Sequence, residues 1–584
     1  MKISRILCAS TALLLSLGAA PAAHAYVKAT WFNASNAGHK VVTGQPTVFK
    51  AACDNPAATT IEVTLAGAPV ASGAGTNSYA LETDPVVLTA GGSYTITVKD
   101  AGGAQIGSTD TYVVTLVSGT VTDLKEIAIE KGLWYLHKTM TRYATIPNSA
   151  PGGFLDYNGD PINYPNANPG TVMAGQAFVD AGHTLAINAD DPYVEDVQRI
   201  INWTTEHLGI VGLGSTEGRT STTYAAKDSR GAFLMVHDGS TEVEYGFGPA
   251  LKFLATCGYA RTSTATPQAW NDALNCGTGA SIRTYSFPRI MQEMVDFIAW
   301  AQLNTVGNDY HTSDTFCPNK TTAAVAPGSK GGWPYYNEGW NVDPTDDNNI
   351  PMGGNGTYGD VAVAYWTVQG LQAAQTTLNS SNIYPASVKT DLLAFITSHQ
   401  NLINGEITFG PAHNIHLIER AGQGLVLLQW AGVAATDAKV TNVVNFIKKN
   451  WFKHTYHAER GHVEQNFICH DEVGTEKQCY QHFLVDANPV GFWVCDRNAN
   501  PCTYEIIETL DDINVFAFKT VTEGLAAYPT ITNVPAAAPG DYKTFYRGLL
   551  IDNQLASGTW DDHGWIQGYQ PMGASWAVST LAKL

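Results

Sequence analysis

Charged side chains are scarce. Asp, Glu, Lys and Arg make up 15% of the 584 residues, against about 25% in an average soluble protein. Basic residues number 33 and acidic residues 52, a formal net charge of −19. The chain therefore lacks the basic footprint that nucleic-acid phosphates or an anionic membrane require. No internal apolar run approaches the ~20 residues that span a bilayer. Cys-x-x-Cys does not occur, which argues against a zinc ribbon, c-type haem attachment and thioredoxin-like redox chemistry. His-Glu-x-x-His is missing as well, and with it the zinc-protease pattern. What is plentiful is apolar residues, at 44%, and glycine, at 55. That suffices for a large core, and the length suggests roughly two to four domains.

The N-terminus reads as a secretory signal. Lys2 and Arg5 precede an apolar stretch from Ile6 to Leu17, and Ala23-His24-Ala25 supplies a small-x-small cleavage pattern. Residues 1–25 are expected to be removed, leaving an acidic secreted or periplasmic protein. Cys8 lies in that leader. The other cysteines are Cys53, Cys257, Cys276, Cys317, Cys469, Cys479, Cys495 and Cys502, read as disulfide staples of an oxidising compartment. Short loops favour Cys257–Cys276, Cys469–Cys479 and Cys495–Cys502, leaving Cys53 and Cys317 as a long-range pair or as free thiols.

Residues 26–120 alternate in short apolar runs (60–65, 93–99, 111–117) between glycine-rich turns, which predicts an immunoglobulin-like β-sandwich. From residue 121 to 584 the period becomes helical. Twelve segments fall into six pairs. The first members, near 125–138, 192–207, 287–303, 386–401, 437–451 and 541–555, are amphipathic. The second members, near 170–182, 245–257, 358–375, 413–432, 512–527 and 571–584, are apolar nearly all round. One-sided helices belong outside and all-apolar helices inside, so the pattern predicts a mainly α (α/α)6 toroid of six hairpins. The long links (139–169, 208–244, 304–357, 452–511) all run from an outer to an inner helix. They would gather on one rim, where long loops are usually functional.

The segment Arg547-Gly548 to Trp560, with Gln554-x-x-x-Gly558-x-Trp560, resembles the repeat of squalene cyclases and protein prenyltransferases. Weaker copies run from Lys131-Gly132-Leu133-Trp134 to Gly152-Gly153-Phe154, from Gln302 to Gly331-Gly332-Trp333, and from Gln400 to Gly405 and Ile407. The resemblance implies a terpenoid-cyclase-like α/α toroid. It does not carry that superfamily's chemistry. The cyclase Asp-x-Asp-Asp is missing, the nearest string being Asp343-Pro344-Thr345-Asp346-Asp347. No prenyltransferase zinc trio and no Gly-Cys-Gly-Glu-Gln thioester are recognisable.

Several constellations could carry chemistry. His413, His416, Arg420 and Gln423 are spaced 3, 4 and 3, which on a helix gives one shared face. There His413 or His416 would serve as base and Arg420 as a carboxylate clamp; the alternative is a structural network with Glu419. Asp360 and Asp512, from inner helices that neighbour this one, are candidate acids, and Asp512 is otherwise a helix cap. Lys519 is expected to pair with Glu523, four residues on. Tyr358, Gln423, Asp561, Trp340, Trp565 and Tyr569 are placed as ligand-binding residues, the aromatics as sugar-stacking platforms. His454, His457 and His462 are weak metal candidates, and the plainer reading leaves them as exposed loop residues. The sequence names no cofactor.

Three functions stay open. One is a polysaccharide lyase or hydrolase working at the toroid mouth. Another is a non-catalytic carrier of a small extracellular ligand in the central cavity. The third is a surface or matrix structural protein. Converging Asp, His and Arg in an open cleft would mark the enzyme, a closed apolar cavity the carrier, and a filled centre the structural protein.

Overall fold

The structure is a computed structural model. It describes residues 27–30, 38–141 except 54 and 76, 167–186, 191–213, 230–234, 243–259, 282–305, 324–334, 359–410 except 404, 413–416, 418–451, 515–531, 541–560 and 570–584, with the short strands β13 (Asn308–Asp309) and β14 (Asn319–Lys320) and further short strands between 453 and 507. Two compact units divide the chain. One comprises Gly44–Val114 with the segment ending at Thr30; the other comprises Thr115–Leu584 with Trp31–Thr43.

The first ten strands are β1 (Val27–Ala29), β2 (His39–Val42), β3 (Pro46–Thr47), β4 (Lys50–Cys53), β5 (Ala58–Leu65), β6 (Ala68–Ala74), β7 (Leu81–Glu82), β8 (Val86–Val87), β9 (Gly92–Asp100) and β10 (Gln105–Val117). In the first unit β1-β4-β7 form one sheet and β10-β9-β5-β6 run side by side in another. Alternate residues Ile61, Val63, Tyr94, Ile96 and Val98 are buried, as a strand with one core face requires. Phe49, just before β4, meets the rings of Tyr94 and Tyr112, both at 5.0 Å. The β5–β6 hairpin turns on Ala66 and Gly67, both with positive φ, as a two-residue primed turn needs.

The second unit contains twelve α-helices among its described residues: α1 (Val121–Thr139), α2 (Ala167–Asp180), α3 (Pro192–Glu206), α4 (Val243–Thr256), α5 (Phe287–Ala301), α6 (Val361–Leu378), α7 (Ala386–Ser398), α8 (Ile418–Trp430), α9 (Ala438–Asn450), α10 (Val515–Ala526), α11 (Tyr542–Asp552) and α12 (Gln570–Lys583). Contacts pass from α2 to α4, α6, α8, α10 and α12, and return from α12 to α2. The odd-numbered helices lie against this closed cycle. Every helix expected from the pattern is present, within a few residues at its ends. The inner helices approach backbone to backbone where glycine allows it. A Cβ on Gly248 would stand 2.3 Å from Trp366 O, and one on Gly524 2.4 Å from Gly422 O. Outer helix α5 departs from the one-sided expectation, being buried along nearly its whole length. A hairpin in the second long link, β11 (Leu208–Gly212) with β12 (Arg230–Leu234), lies against it. Among the described residues no helix is long and apolar enough to cross a membrane.

The Gln–Gly–Trp repeat stitches successive outer helices together. Gln302 Nε2 donates to Val388 O in the first turn of α7 at 3.0 Å and to Gly331 O at 2.8 Å. Gln400 Nε2 donates to Lys439 O at the start of α9 at 2.7 Å, and Gln554 Nε2 to Ala128 O of α1 at 2.8 Å. Each repeat glycine, with φ of 95°, 84° and 95° at Gly331, Gly405 and Gly558, fits under a carbonyl three residues further along the same helix. Added Cβ atoms there would stand 2.0, 2.0 and 2.4 Å from Asp391 O, Asn442 O and Lys131 O. Trp333 and Trp560 donate back to Ile298 O and Leu550 O at 2.9 and 2.6 Å. In the Gln400 repeat, Ile407 fills the tryptophan's place and is buried.

Two expectations are corrected. His413 and His416 are not helical. Residues His413–His416 form strand β18, paired antiparallel with β17 (Thr408–Gly410) through Thr408↔His416 and Gly410↔His413. The 3-4-3 spacing therefore runs across a strand-to-helix junction and does not define one face. Cys257 is a free, buried thiol, whereas the spacing predicted a bridge to Cys276, which lies outside the described residues. Its Sγ donates to Leu254 O at 3.3 Å, and burial pushes the thiol up to about 12.

Candidate functional site

Two further strands set the first candidate residue. Strand β15 (Trp333–Pro334) pairs with β16 (Gly359–Asp360), with Trp333 opposite Asp360. The repeat tryptophan is immobilised by burial and by its Nε1–H bond to Ile298 O, so the backbone at Asp360 is fixed from outside the ring. Asp360 is then the N-cap of α6. Its Oδ1 accepts from Ala362 N at 2.5 Å and Val363 N at 3.1 Å, two of the donors that a helix start leaves open.

The other carboxylate oxygen is different. Asp360 Oδ2 is buried and has no hydrogen-bond partner among the described residues. Burial pushes the carboxyl up to about 6, against the opposing pull of Arg420 and of the two capping N–H groups. Arg420 lies in the first turn of α8, next along the ring, and is fully buried. It donates to Gln423 Oε1 at 2.8 Å. Gln423 Nε2 is likewise buried without a described hydrogen-bond partner, and Glu419 is buried beside them on α8. A carboxyl of raised pKa, a guanidinium and an orphaned amide thus sit at the heads of two adjacent inner helices.

Three aromatic rings, one each from α6, α10 and α12, meet in the second unit. Phe516 stacks on Trp576 at 4.6 Å, with Trp366 at 5.8 and 6.4 Å from the two. Under these rings Lys519 Nζ pairs with Glu523 Oε1 at 2.5 Å, the i,i+4 pair expected from the sequence. Sequence reasoning missed their companions Asp180, Lys252, Tyr365, Gln369 and Lys583. The available signal was charge on helices otherwise apolar all round, at Lys252 above all.

Asp360, Arg420 and Gln423 are therefore neighbours on α6 and α8, while His413 and His416 lie on β18 just ahead of α8. Trp340, Tyr358, Asp512, Asp561, Trp565, Tyr569, His457 and His462 lie outside the described residues, and His454 belongs to β19 (Lys453–His454). Among the described residues no group of three or more His, Cys, Asp or Glu side chains is arranged to hold a metal ion. Cys469 and Cys479 are register partners in β20 (Cys469–Asp471) and β21 (Lys477–Cys479). Other strands among the described residues of that link are β22 (Phe483–Leu484), β23 (Phe492–Cys495) and β24 (Tyr504–Ile507), with Cys495 opposite Tyr504. Cys276, Cys317 and Cys502 lie outside the described residues.

No family model and no curated protein matches the sequence. Solved structures with some likeness include a polysaccharide lyase, 10% identical over 95% of this chain and 64% of that one, with a TM-score of 0.36. Another is a beta-1,2-glucanase from Parabacteroides distasonis, 12% identical over 95% of this chain and 70% of that one, with a TM-score of 0.34. The chain spans 64% of the length of that lyase, and at these scores the likeness bears on neither substrate nor mechanism.

Proposed function

We propose that the chain is an exported carbohydrate-active enzyme, a polysaccharide lyase or hydrolase. In this reading an immunoglobulin-like sandwich follows a cleaved leader (1–25), and an (α/α)6 toroid of six hairpins carries the site at the heads of its inner helices. The observation that carries the proposal is Asp360. One of its carboxyl oxygens is spent on the α6 cap, and the other is orphaned beside Arg420, with a pKa pushed up to about 6. A carboxyl that holds its proton near neutral pH is what protonation of a departing glycosidic oxygen requires.

Hydrolysis and β-elimination share that step, and Asp360 is the acid in both. Arg420, steadied by Gln423, would hold an anionic group of the glycan, a uronate carboxylate in the lyase case. His413 or His416 would take the proton α to that carboxylate. In the hydrolase case Asp512 or Asp561 would supply the opposing carboxylate, and Trp340, Trp565, Tyr358 and Tyr569 the sugar platforms.

The experiment is a screen of the purified protein against uronate-containing and neutral polysaccharides. Unsaturated products identify elimination, and new reducing ends without unsaturation identify hydrolysis. Either activity should fall by about 10²–10⁴-fold in Asp360→Asn. The packing of Trp366, Phe516 and Trp576, from three different helices, against one another favours a second reading, a structural protein of the cell surface or matrix. That reading takes over if no glycan is bound or cleaved and Asp360→Asn changes stability alone.

A further inference from the structure

Toward the C-terminal ends of the inner helices, five charged side chains from four helices converge. Glu523 of α10 is the hub. Its Oε1 accepts from Lys519 Nζ and from Lys583 Nζ of α12, with Lys252 Nζ of α4 3.7 Å away. Its Oε2 accepts from the Tyr365 hydroxyl and from Gln369 Nε2, both on α6. Lys252 Nζ also donates to Gln369 Oε1 at 2.5 Å. Asp180, the last residue of α2, accepts from Gln176 Nε2 at 2.8 Å on Oδ1. Its Oδ2 lies 3.8 Å from Lys583 Nζ and has no hydrogen-bond partner among the described residues.

Three ammonium groups therefore face two carboxylates, and one of the carboxylates is already saturated. The cluster is partly exposed. The Lys583, Lys252 and Asp180 side chains are 32%, 16% and 14% exposed, while Lys519 lies deeper, at 5%. We propose that this cluster binds a small oxyanion, held by Lys252 and Lys583 with the less exposed Lys519 beside them.

The lysines of the cluster respond unequally: burial, then repulsion among them, lowers Lys519 and Lys252, whereas Glu523 and Asp180 raise Lys583 against its own burial. Burial, and then repulsion from Lys583 and Lys252, push the Lys519 ammonium down to about 7 in spite of Glu523. Burial also lowers Lys252. Burial opposes ionisation of Glu523 and Asp180, yet the surrounding lysines hold both below the usual carboxylate range. The groups facing Lys519 are thus Asp180 from α2, Lys252 from α4, Tyr365 from α6, Glu523 from α10 and Lys583 from α12. An incoming anion would supply the missing charge and return a proton to Lys519. The carbonyl ends of the inner helices provide some negative potential of their own, so a cluster hydrated by water alone is the competing outcome.

The test is isothermal titration of the full-length protein near pH 7.5 with sodium sulfate and, separately, sodium acetate at fixed ionic strength. Saturable binding of either anion, with proton uptake read from two buffers of different ionisation enthalpy, is the expected result. The anion that saturates shows whether a tetrahedral dianion or a carboxylate is preferred. Lys252→Gln and Lys583→Gln should each weaken binding at least about tenfold, the size of effect that loss of one charge-assisted contact produces. The wild-type proton uptake needs no variant and stands if a substituted chain fails to fold. Absence of saturable heat with both anions, or binding unchanged in both variants, overturns the proposal.

Discussion

Trp333 and Asp360 face each other across a two-residue β-ladder. The tryptophan that closes one repeat of the outer seam thereby fixes the backbone of the residue proposed as catalytic acid. Asp360 is also under strain of an electrostatic kind, because burial raises its carboxyl to about 6. A carboxyl whose folded pKa lies above its unfolded value of 3.8 binds more protons when folded. Its contribution to stability is therefore greatest below pH 4 and declines as the pH rises toward 6. Asp360→Asn keeps a good helix cap and removes the ionisation. It should leave the protein at least as stable at pH 7, by up to about 1–3 kcal/mol, and flatten the loss between pH 4 and 6. Glycan cleavage should fall by about 10²–10⁴-fold in the same variant. Urea melts across pH and a product assay check the two halves separately.

The repeat glutamines should differ in weight. Gln302 is fully buried and donates to two carbonyls, so Gln302→Ala strands both and opens a cavity, at about 2–4 kcal/mol. Gln554 also donates to two carbonyls, of Ala128 and Gly558, but it is half-buried, so the groups left behind are partly hydrated and Gln554→Ala should cost about 1 kcal/mol. Chemical denaturation with an unchanged m-value would establish the order. Equal losses would mean that the amide bonds contribute little.

The helices were legible because each inner or outer role leaves a different burial pattern, and the repeat was legible because Gln, Gly and Trp each have a fixed mechanical task. What stayed hidden depended on partners distant in the chain. The 413–423 stripe has helical spacing, yet residues 413–416 find backbone partners in 408–410, and local periodicity carries no information about that choice. Asp360 was recognisable as a candidate acid, but its role as the α6 cap and its unequal oxygens arise from its neighbours on α6 and α8. The Lys519–Glu523 pair was visible at i,i+4, whereas Lys252, Lys583 and Asp180 join it only once the ring closes.

Cys257 supplies a prediction about chemistry by burial alone. Its thiol is inaccessible and its pKa is pushed up to about 12, so almost no thiolate forms at neutral pH. Native protein treated with iodoacetamide should leave Cys257 unmodified, and labelling should appear on unfolding. Peptide mapping without reductant should recover Cys257 as a free thiol. A Cys257–Cys276 peptide would contradict the structure.

The last prediction concerns Lys519 and the alkaline side of the stability profile. Its ammonium is pushed down to about 7 in the folded protein from an ordinary 10.5, so between those values the unfolded chain binds more protons at this position than the folded one. Stability contributed through Lys519 should therefore rise as the pH goes from 7 toward 10. Lys252 is lowered as well and acts in the same direction. Lys583 is raised by Glu523 and Asp180 against its own burial, so its contribution is complete below its ordinary value and is lost only above it. Lys519→Met removes one ammonium from an over-supplied cluster while keeping an apolar stem beneath Trp366, whose ring lies 5.3 Å from Nζ. The variant should flatten the rise between pH 7 and 10 and should be no less stable than wild type at pH 6. Glu523→Gln should do the opposite, leaving three lysines against one carboxylate and costing about 3–5 kcal/mol at pH 7. Thermal and urea unfolding of the two variants over pH 6–10 measures both slopes. If Lys519→Met is the more damaging of the two at pH 6, Lys519 carries a fully compensated charge and the cluster has no surplus.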